Sequence, residues 1–459
     1  MKTYQDLLKV RDNAGKVVGF IREAISAYEA SEEYKVASDA CEYYAHKNVT
    51  IRKFQQYIYD VAGQRKADVY ATDHKLRTGF FNRFVKQQVQ YVLSNGVSFE
   101  KEETKSSLGT NFDYTLQNAA KKAMICGKSF CFWNRDHLEV FSAVRTETEP
   151  GFVPLYDEET GALRAGIRYW SIGDTDRRTL YEEDGYTEYI QKKGEDMREF
   201  EQKVAYVREY TRTEAGGVEF GNSSNYVRFP IIPMYSNDLR QSEIVGIRES
   251  IDCYDFIKSG LANDIDSAAG YYWTITGADG MNDEDLQRFV ERMKVVRAAT
   301  LGDGANAEAH TLDIPTEARE AIMNRLRSDM YEDFMLLDTD KALSGNMTAT
   351  AIRLAYQAQD DKCGDFEYCL REFIGNLLAL VGIDDEPSFK WNRIANQTEE
   401  TQMVMMAAAY LDDKTVLDKL PWITPEEADE ILKRKDADEL NRFGGAEEKE
   451  VTADEAETA

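Results

Sequence analysis

The chain has 459 residues, 42% of them hydrophobic and 11% aromatic, enough apolar material for roughly two to four packed domains. Its 83 acidic and 56 basic residues leave a net charge of −27. A surface this acidic excludes a protein that grips nucleic acid by neutralising phosphates with Lys and Arg, though not one past which DNA slides.

Residues 1 to about 127 read as helical. "SEEYKVASDACEYYAHKNV" has helical spacing. "FFNRFVKQQVQYVLSNGVSF" sets Phe80, Phe81, Phe84, Val85, Val89, Val92 and Leu93 on one face before Asn95-Gly96 stops it. A further helix covers about Phe112 to Cys126. Residues 128–235 change to strand patterning. "SFCFWNRDHLEVFSAV", "LRAGIRYWSI", "RRTLYEEDGYTEYIQKK" and "EQKVAYVREYTRT" are apolar runs parted by Gly and Asp, which predicts an antiparallel sheet joined to the helical part.

Residues 236–268 read as a helix with a narrow stripe of Ile244, Ile247, Ile251, Tyr254, Leu261 and Ile265. Glu249, Asp252, Asp255, Asp264 and Asp266 lie on its other faces and are expected to be wet. Residues 269–316 form an insertion: the short apolar run "YYWTIT", a Gly-Ala-Asp-Gly turn, a helix from about Asn282 with Phe289 and Val290 in its core, and the loop "LGDGANAEAHTLDIP". A second stripe follows in Ile322, Leu326, Met330, Phe334 and Leu337, so two amphipathic helices bracket the insertion and are expected to pack antiparallel.

"ALSGNMTATAIRLAYQ" then begins as a loop and ends as a helix. The third long helix carries Ile352, Tyr356, Cys363, Phe366, Leu370, Phe373, Leu377 and Val381 at helical spacing. Shorter helical runs cover Glu399 to Leu411 and Pro425 to Leu440. The acidic end, "GGAEEKEVTADEAETA", has no apolar face and reads as disordered. The whole is of the α+β class and mainly helical.

Candidate chemistry is thin. "CGKSF" (Cys126 to Phe130) holds the Gly-Lys-Ser end of a phosphate-binding loop. The glycine expected five residues before Gly127 is instead Lys122, and the segment runs from helix to strand rather than strand to helix. A plain turn is the expected reading. Asp283-Glu284-Asp285 and Asp384-Asp385-Glu386 lack the spacing of a calcium loop and read as helix starts or turns. The four histidines, at 46, 74, 137 and 310, stand in different segments. Six scattered cysteines, Cys41, Cys126, Cys131, Cys253, Cys363 and Cys369, read as the reduced thiols of a cytosolic product. No apolar run reaches the roughly 18 residues of a membrane span, and the polar opening "MKTYQDLLKVRDNAG" does not read as a signal peptide. No catalytic set, metal set or cofactor site is expected.

The order of elements resembles the portal, or head–tail connector, proteins of tailed bacteriophages, of the siphophage type. Three segments carry the likeness. "FFNRFVKQQVQYVLSNGVSFE" is similar to the family's N-terminal helix and its closing turn. "FPIIPMYSNDLRQSEIVGIRESIDCYDFIKSGLANDID" is similar to the entry into the first stem helix, and "LSGNMTATAIRLAYQ" to the tunnel loop. The likeness runs in order over about residues 30 to 440.

The resemblance implies a closed ring, typically of twelve subunits, at one capsid vertex. Residues 1–235 would be a β-rich wing, 236–268 and 317–337 two antiparallel stem helices, and 269–316 the clip. Residues 338–352 would be the tunnel loop, 353–440 a long kinked helix and helical crown, and 441–459 an acidic disordered tail. Lys341, Leu343, Ser344, Gly345, Asn346, Thr348, Thr350 and Arg353 would face DNA. Ile244, Ile247, Ile251, Tyr254 and Leu261 would lie between subunits. The implied partners are further copies of the chain, double-stranded DNA held without sequence preference, the large terminase subunit, capsid and scaffolding proteins and head–tail adaptors. The chain would be made in the host bacterial cytoplasm and end in the virion, with no membrane. Two other readings stand beside this one: a minor capsid protein, and a soluble hydrolase built on the acidic clusters.

Overall fold

A computed structural model of the chain describes residues 1–59, 64–67, 72–212, 218–268, 272–276, 282, 284–285, 289, 306–310, 315–338, 349–392, 397–420, 423 and 427–435. The chain divides into two units: Met1–Asp338 with Ala358–Asn392, and Thr339–Gln357 with Arg393–Ala459.

In the first unit, helices α1 (Tyr4–Leu8), α2 (Ala14–Glu29), α3 (Glu32–Tyr44), α4 (Val49–Lys53), α5 (Phe80–Leu93), α6 (Glu102–Ser107) and α7 (Phe112–Cys126) occupy the N-terminal part, as expected. The starts of α1, α2 and α3 are set by short polar side chains that accept otherwise orphaned helix N–H groups. Thr3 and Asp6 form a capping box on α1, Asn13 accepts from Lys16 N, and Ser31 accepts from Tyr34 N with Glu32 and Glu33 in the first turn. The predicted face of α5 is buried from Phe80 to Leu93. Two small strands, β1 (Tyr57–Tyr59) and β2 (Arg65–Ala67), pair with each other, and β3 is Val97–Phe99.

The strand-patterned region contains β4 (Lys128–Asn134), β5 (His137–Ser142), β6 (Gly151–Tyr156), β7 (Leu163–Ile172), β8 (Thr175–Glu182), β9 (Gly185–Lys192), β10 (Arg198–Val204), β11 (Val207–Arg212), β12 (Val218–Ser224) and β13 (Ile231–Tyr235). Eight of these form one sheet in the order β10-β9-β8-β7-β6-β5-β4-β13, while β11 and β12 pair apart as a ribbon. Neighbours in the sheet are antiparallel except β5 and β6, which meet in parallel at Ser142 and Gly151. On one side Leu7, Val17, Phe20, Ile21, Ala24 and Tyr28 of the first two helices pack on Val153, Leu155, Ala165, Ile167 and Leu180. α7 packs on β4 and β5. β4 is buried along Lys128–Trp133, which explains its run of apolar residues without alternation. Each fully buried Phe, such as Phe130, Phe141 and Phe152, contributes about 2–3 kcal/mol by leaving water.

The first predicted stem helix starts later than its periodicity suggests. Helix α8 is Arg248–Ala268, whereas residues 236–247 are turns. Polar bonds hold them there: Glu243 N donates to Met124 O at 2.9 Å, Ser242 Oγ to Ile125 O at 2.6 Å, and Gly246 takes φ +95°. Ser242 Oγ also accepts from Ile244 N at 3.3 Å, and Ser side chains that bond locally to backbone compete with helix formation. Beyond α8, β14 (Tyr272–Thr276) pairs antiparallel with β15 (Asn306–His310), so part of the predicted loop is a strand. Phe289 is buried as expected, and Val290 lies outside the described residues. Helix α9 is Thr316–Asp333, ending before the expected 337, with Met335 at φ +57°. Helix α10, Ala349–Val381, begins four residues before the expected 353 and runs unbroken. β16 (Pro387–Phe389) closes this part against β3.

The second unit contains α11 (Gln397–Ala407), a single 3₁₀ turn at Ala408–Tyr410, α12 (Asp413–Asp418) and a helix over 427–435. Asp412 caps α12 by accepting from Thr415 N at 3.1 Å. Lys414 bridges to Asp429 at 3.1 Å, and Lys435 pairs with Asp413. The acidic tail, 441–459, lies outside the described residues.

Candidate functional site

Helices α8 and α9 lie side by side. They run antiparallel, because Asp264 near the end of α8 bridges to Arg319 near the start of α9 at 2.6 Å. At the other end Tyr254 packs on Phe80 and Tyr331 on Phe84, one turn apart on α5. Burial along the pair changes steadily. On the α8 side Ile251 is 1% exposed, Tyr254 and Leu261 are half-buried and Ile265 is 55% exposed. On α9 Met330 is fully buried, Leu326 half-buried and Ile322 50% exposed. Each apolar stripe is therefore covered by the chain's own core at one end and uncovered at the other.

This corrects the expected subunit seam at three positions. Ile244, Ile247 and Ile251 are 1%, 2% and 1% exposed within the single chain. They are core residues with no surface to offer a neighbour, and Ile244 and Ile247 precede the helix. Tyr254 and Leu261 keep part of their surface.

On the polar face of α8, Glu249 and Asp266 are exposed as expected, but Asp252 and Asp255 are not wet. Asp255 is fully buried and accepts from Thr78 N at 3.0 Å, Thr78 Oγ1 at 2.8 Å and Asn48 Nδ2. Asp252 accepts from Thr50 Oγ1 at 2.7 Å and from the Tyr43 hydroxyl. Ser259 Oγ accepts from Leu76 N at 2.9 Å, and Asn263 Oδ1 from His74 N at 2.7 Å. Residues 72–78, which have no regular structure, are thus bonded to successive turns of α8. Burial pushes the Asp255 carboxyl up to about 6, against the opposing pull of the hydrogen bonds from Asn48 and Thr78. The only trace of this in the sequence is that Asp252, Asp255, Ser259 and Asn263 share a helix face.

The segment leading into the predicted tunnel loop is pinned from several sides. Lys362 Nζ donates to Phe334 O at 3.0 Å, lies 3.5 Å from the centre of the Phe334 ring and bridges to Glu243 at 2.8 Å. Leu337 donates its N–H to Gln359 Oε1 and accepts from Gln87 Nε2, each at 3.1 Å. Arg327 holds Asp338 at 3.0 Å. Lys341, Leu343, Ser344, Gly345, Asn346 and Thr348 lie outside the described residues. Thr350 and Arg353 belong to the first turns of α10.

The remaining motifs have structural roles. Gly127 is the left-handed residue that ends α7, and Lys128 is the first residue of β4. Lys128 is buried, paired with Glu33 and 5.8 Å from the ring centres of both Tyr28 and Tyr156, so it is not presented to a phosphate. Asp385 accepts from Glu100 N and Lys101 N at 3.1 Å and from Thr104 Oγ1 at 2.5 Å, fixing the start of α6. Asp285 and Asn282 exchange hydrogen bonds at a helix start.

Residues 25–439 match a sequence model of the family described as phage portal protein, SPP1 Gp6-like. The portal protein of Clostridium phage phiCD119 is 23% identical over 462 aligned positions, covering 92% of this chain and 98% of its own. The portal protein of Bacillus phage SPP1 is 21% identical over 429 positions, covering 87% and 83%. Among solved structures, the neck of a native GTA particle computed with C12 symmetry aligns at a TM-score of 0.41 and 14% identity, covering 76% of this chain and 90% of that one. With nearly its whole length matched, the chain belongs to the phage portal protein family, SPP1 Gp6-like.

Proposed function

We propose that copies of this chain close into a ring, twelve in the particle, and that double-stranded DNA enters and leaves a phage capsid through its central passage. The observation that carries this reading is the burial gradient on α8 and α9. Ile265 and Ile322 are large, apolar and exposed on neighbouring helices whose other ends are rooted in core. The occupant of that surface is the helix pair of the next copy, with Tyr254 and Leu261 at the same contact. A contact between different faces of identical chains forms a ring when its rotation closes. Twelve copies would carry roughly −320 charges, and an acidic bore repels phosphates so that DNA slides rather than sticks.

In this reading residues 1–235 form the wing, α8 and α9 the stem, and the intervening insertion the clip, which docks the terminase and later the head–tail adaptors. Capsid and scaffolding proteins surround the ring. The chain is a structural part of the virion and leaves ATP hydrolysis to a separate motor.

Light scattering on the purified protein tests the ring. The expected mass is many times the 52.4 kDa of one chain. The double variant Ile265→Glu, Ile322→Glu is expected to fall to single-chain mass with its circular dichroism unchanged, because exposed substitutions alter stability by only about 0.5 kcal/mol. A wild-type monomer at micromolar concentration, or a ring of undiminished mass in the double variant, overturns the assignment.

The loop at 338–352 is proposed to meet the DNA. Gly345 supplies backbone freedom there, and Lys341 and Arg353 supply transient charge against phosphates. Rings carrying Gly345→Val are expected to assemble normally and to fail in DNA packaging, with Lys341→Ala having the smaller effect. Full packaging by Gly345→Val rings would remove the loop from the passage.

A further inference from the structure

Two of the six cysteines meet. Cys41 lies in the last turn of α3 and Cys126 is the final residue of α7. Their sulfur atoms are 3.6 Å apart, which is van der Waals contact. Bond formation needs the two to approach to about 2.05 Å.

The surroundings differ from those of the other thiols. Cys131 lies buried in β4 and Cys363 buried in α10, Cys369 is half-buried on α10, and Cys253 is exposed on α8; among the described residues none of these four has a second cysteine sulfur in contact with it. Cys41 is half-buried and, with Cys126, lines an open groove of about 730 Å³. Lys121, Lys122 and Arg145 also line it, facing Glu29, Glu42 and Glu149. The Cys126 thiol is pulled below its ordinary value by its hydrogen bond with Cys41 and by the Lys122 ammonium, while the Cys41 thiol is pushed up by the same sharing and by burial. The thiolate is the reactive form in disulfide exchange.

We propose that Cys41 and Cys126 form a redox-closable pair, oxidised by small disulfides such as oxidised glutathione to a bond that staples α3 to α7. The Cys41 sulfur gives its proton to water and attacks one sulfur of the oxidant, and one glutathione thiolate leaves and takes up a proton. Cys126 then gives its own proton to water. The Cys126 thiolate then attacks the Cys41 sulfur of the mixed disulfide and expels the second glutathione, which takes a proton from water. Two cysteine thiols are oxidised and one oxidised glutathione becomes two reduced ones. The resulting bond closes a chain separation of 85 residues and constrains the unfolded state accordingly.

The inference is independent of the ring and its passage. The full-length protein is incubated with oxidised glutathione, digested without reduction and read by mass spectrometry, with thermal unfolding in parallel. The expected result is a peptide pair joining Cys41 to Cys126 and a rise in Tm of about 3 °C or more, both reversed by dithiothreitol and both absent in Cys41→Ser. Cys41 is half-buried and Ser is close to it in size, so that variant is expected to fold. Glutathione retained on Cys41 without linkage to Cys126 overturns the proposal, and so does a pair that stays reduced while the exposed Cys253 reacts.

Discussion

Gly127→Ala is expected to lower stability by about 3 kcal/mol or more, and at growth temperature to deliver the protein largely insoluble. Two effects add at this position. The residue has φ +81°, where a side chain costs about 1 kcal/mol against the preceding carbonyl. A Cβ there would also lie 2.7 Å from Gln241 C and 2.8 Å from Arg240 O. Those are backbone atoms of the turn that Ser242 and Glu243 tie to the end of α7. They cannot rotate aside as a side-chain tip would, so the 236–247 segment must shift and give up its bonds to Met124 O and Ile125 O. Gly161→Ala separates the two effects. It has φ +67° with nothing within 4 Å of the added carbon, and should lose only about 1 kcal/mol. Denaturant unfolding of both variants measures the difference. Equal losses would mean that the turn yields freely and that the close approach at Gly127 has no energetic weight.

That glycine shows how far the sequence could be read. The Gly-Lys-Ser triplet was visibly not a phosphate loop, because the order of helix and strand was wrong. What it does was not visible, since the atoms that demand a glycine belong to Arg240 and Gln241, far along the chain. The same division recurs. The face of α5 and strand β9 were legible because their burial follows a local period of about 3.6 or 2 residues, and β4 because its apolar run is continuous. The stripe on α8 was legible as apolar, but not how much of it the chain covers for itself. Ile251 and Ile265 look alike in sequence, and only tertiary contacts separate 1% from 55% exposure. Ile244 and Ile247 kept the helical period through a stretch that local polar bonds hold as turns. The tunnel loop's polar and glycine residues were read from composition and resemblance alone. Asp252 and Asp255 were misread for a plain reason: acidic residues on a helix usually face water, and their partners Tyr43, Asn48, Thr50 and Thr78 are remote in sequence.

Asp255 supplies the second large effect, and its sign is unusual for a carboxylate. Its folded pKa is about 6, above the ordinary 3.8, so the folded state binds the proton more tightly than the unfolded chain does. Where the folded state holds more protons, stability falls as pH rises. The contribution is therefore complete at about pH 4, declines through pH 6 and is gone above it. The two pKa values imply a swing of about 3 kcal/mol. The arrangement fits a shared proton. Asn48 Oδ1 is buried without a hydrogen-bond partner, whereas its Nδ2 donates to both Asp255 and Thr78 O. A protonated Asp255 can donate to that oxygen after a turn of the Asn48 amide. The nearby Asp252 disfavours the ionised form further. Asp255→Asn keeps an acceptor for the Thr78 N–H and supplies a donor for Asn48, but carries no charge. Its stability is expected to match the wild type near pH 5, exceed it by about 1–2 kcal/mol near pH 7.5, and lack the decline between them. Asp255→Ala instead strands the Thr78 N–H, the Thr78 hydroxyl and the Asn48 amide, and should lose about 2–4 kcal/mol at either pH. Denaturant melts of the three proteins at pH 5 and 7.5 decide the matter. If the Asn variant keeps the wild-type slope, the pH dependence arises elsewhere and Asp255 is ionised at little cost. If the Ala variant is as stable as the Asn one, the bonds from 48 and 78 do not fasten α8 to the core.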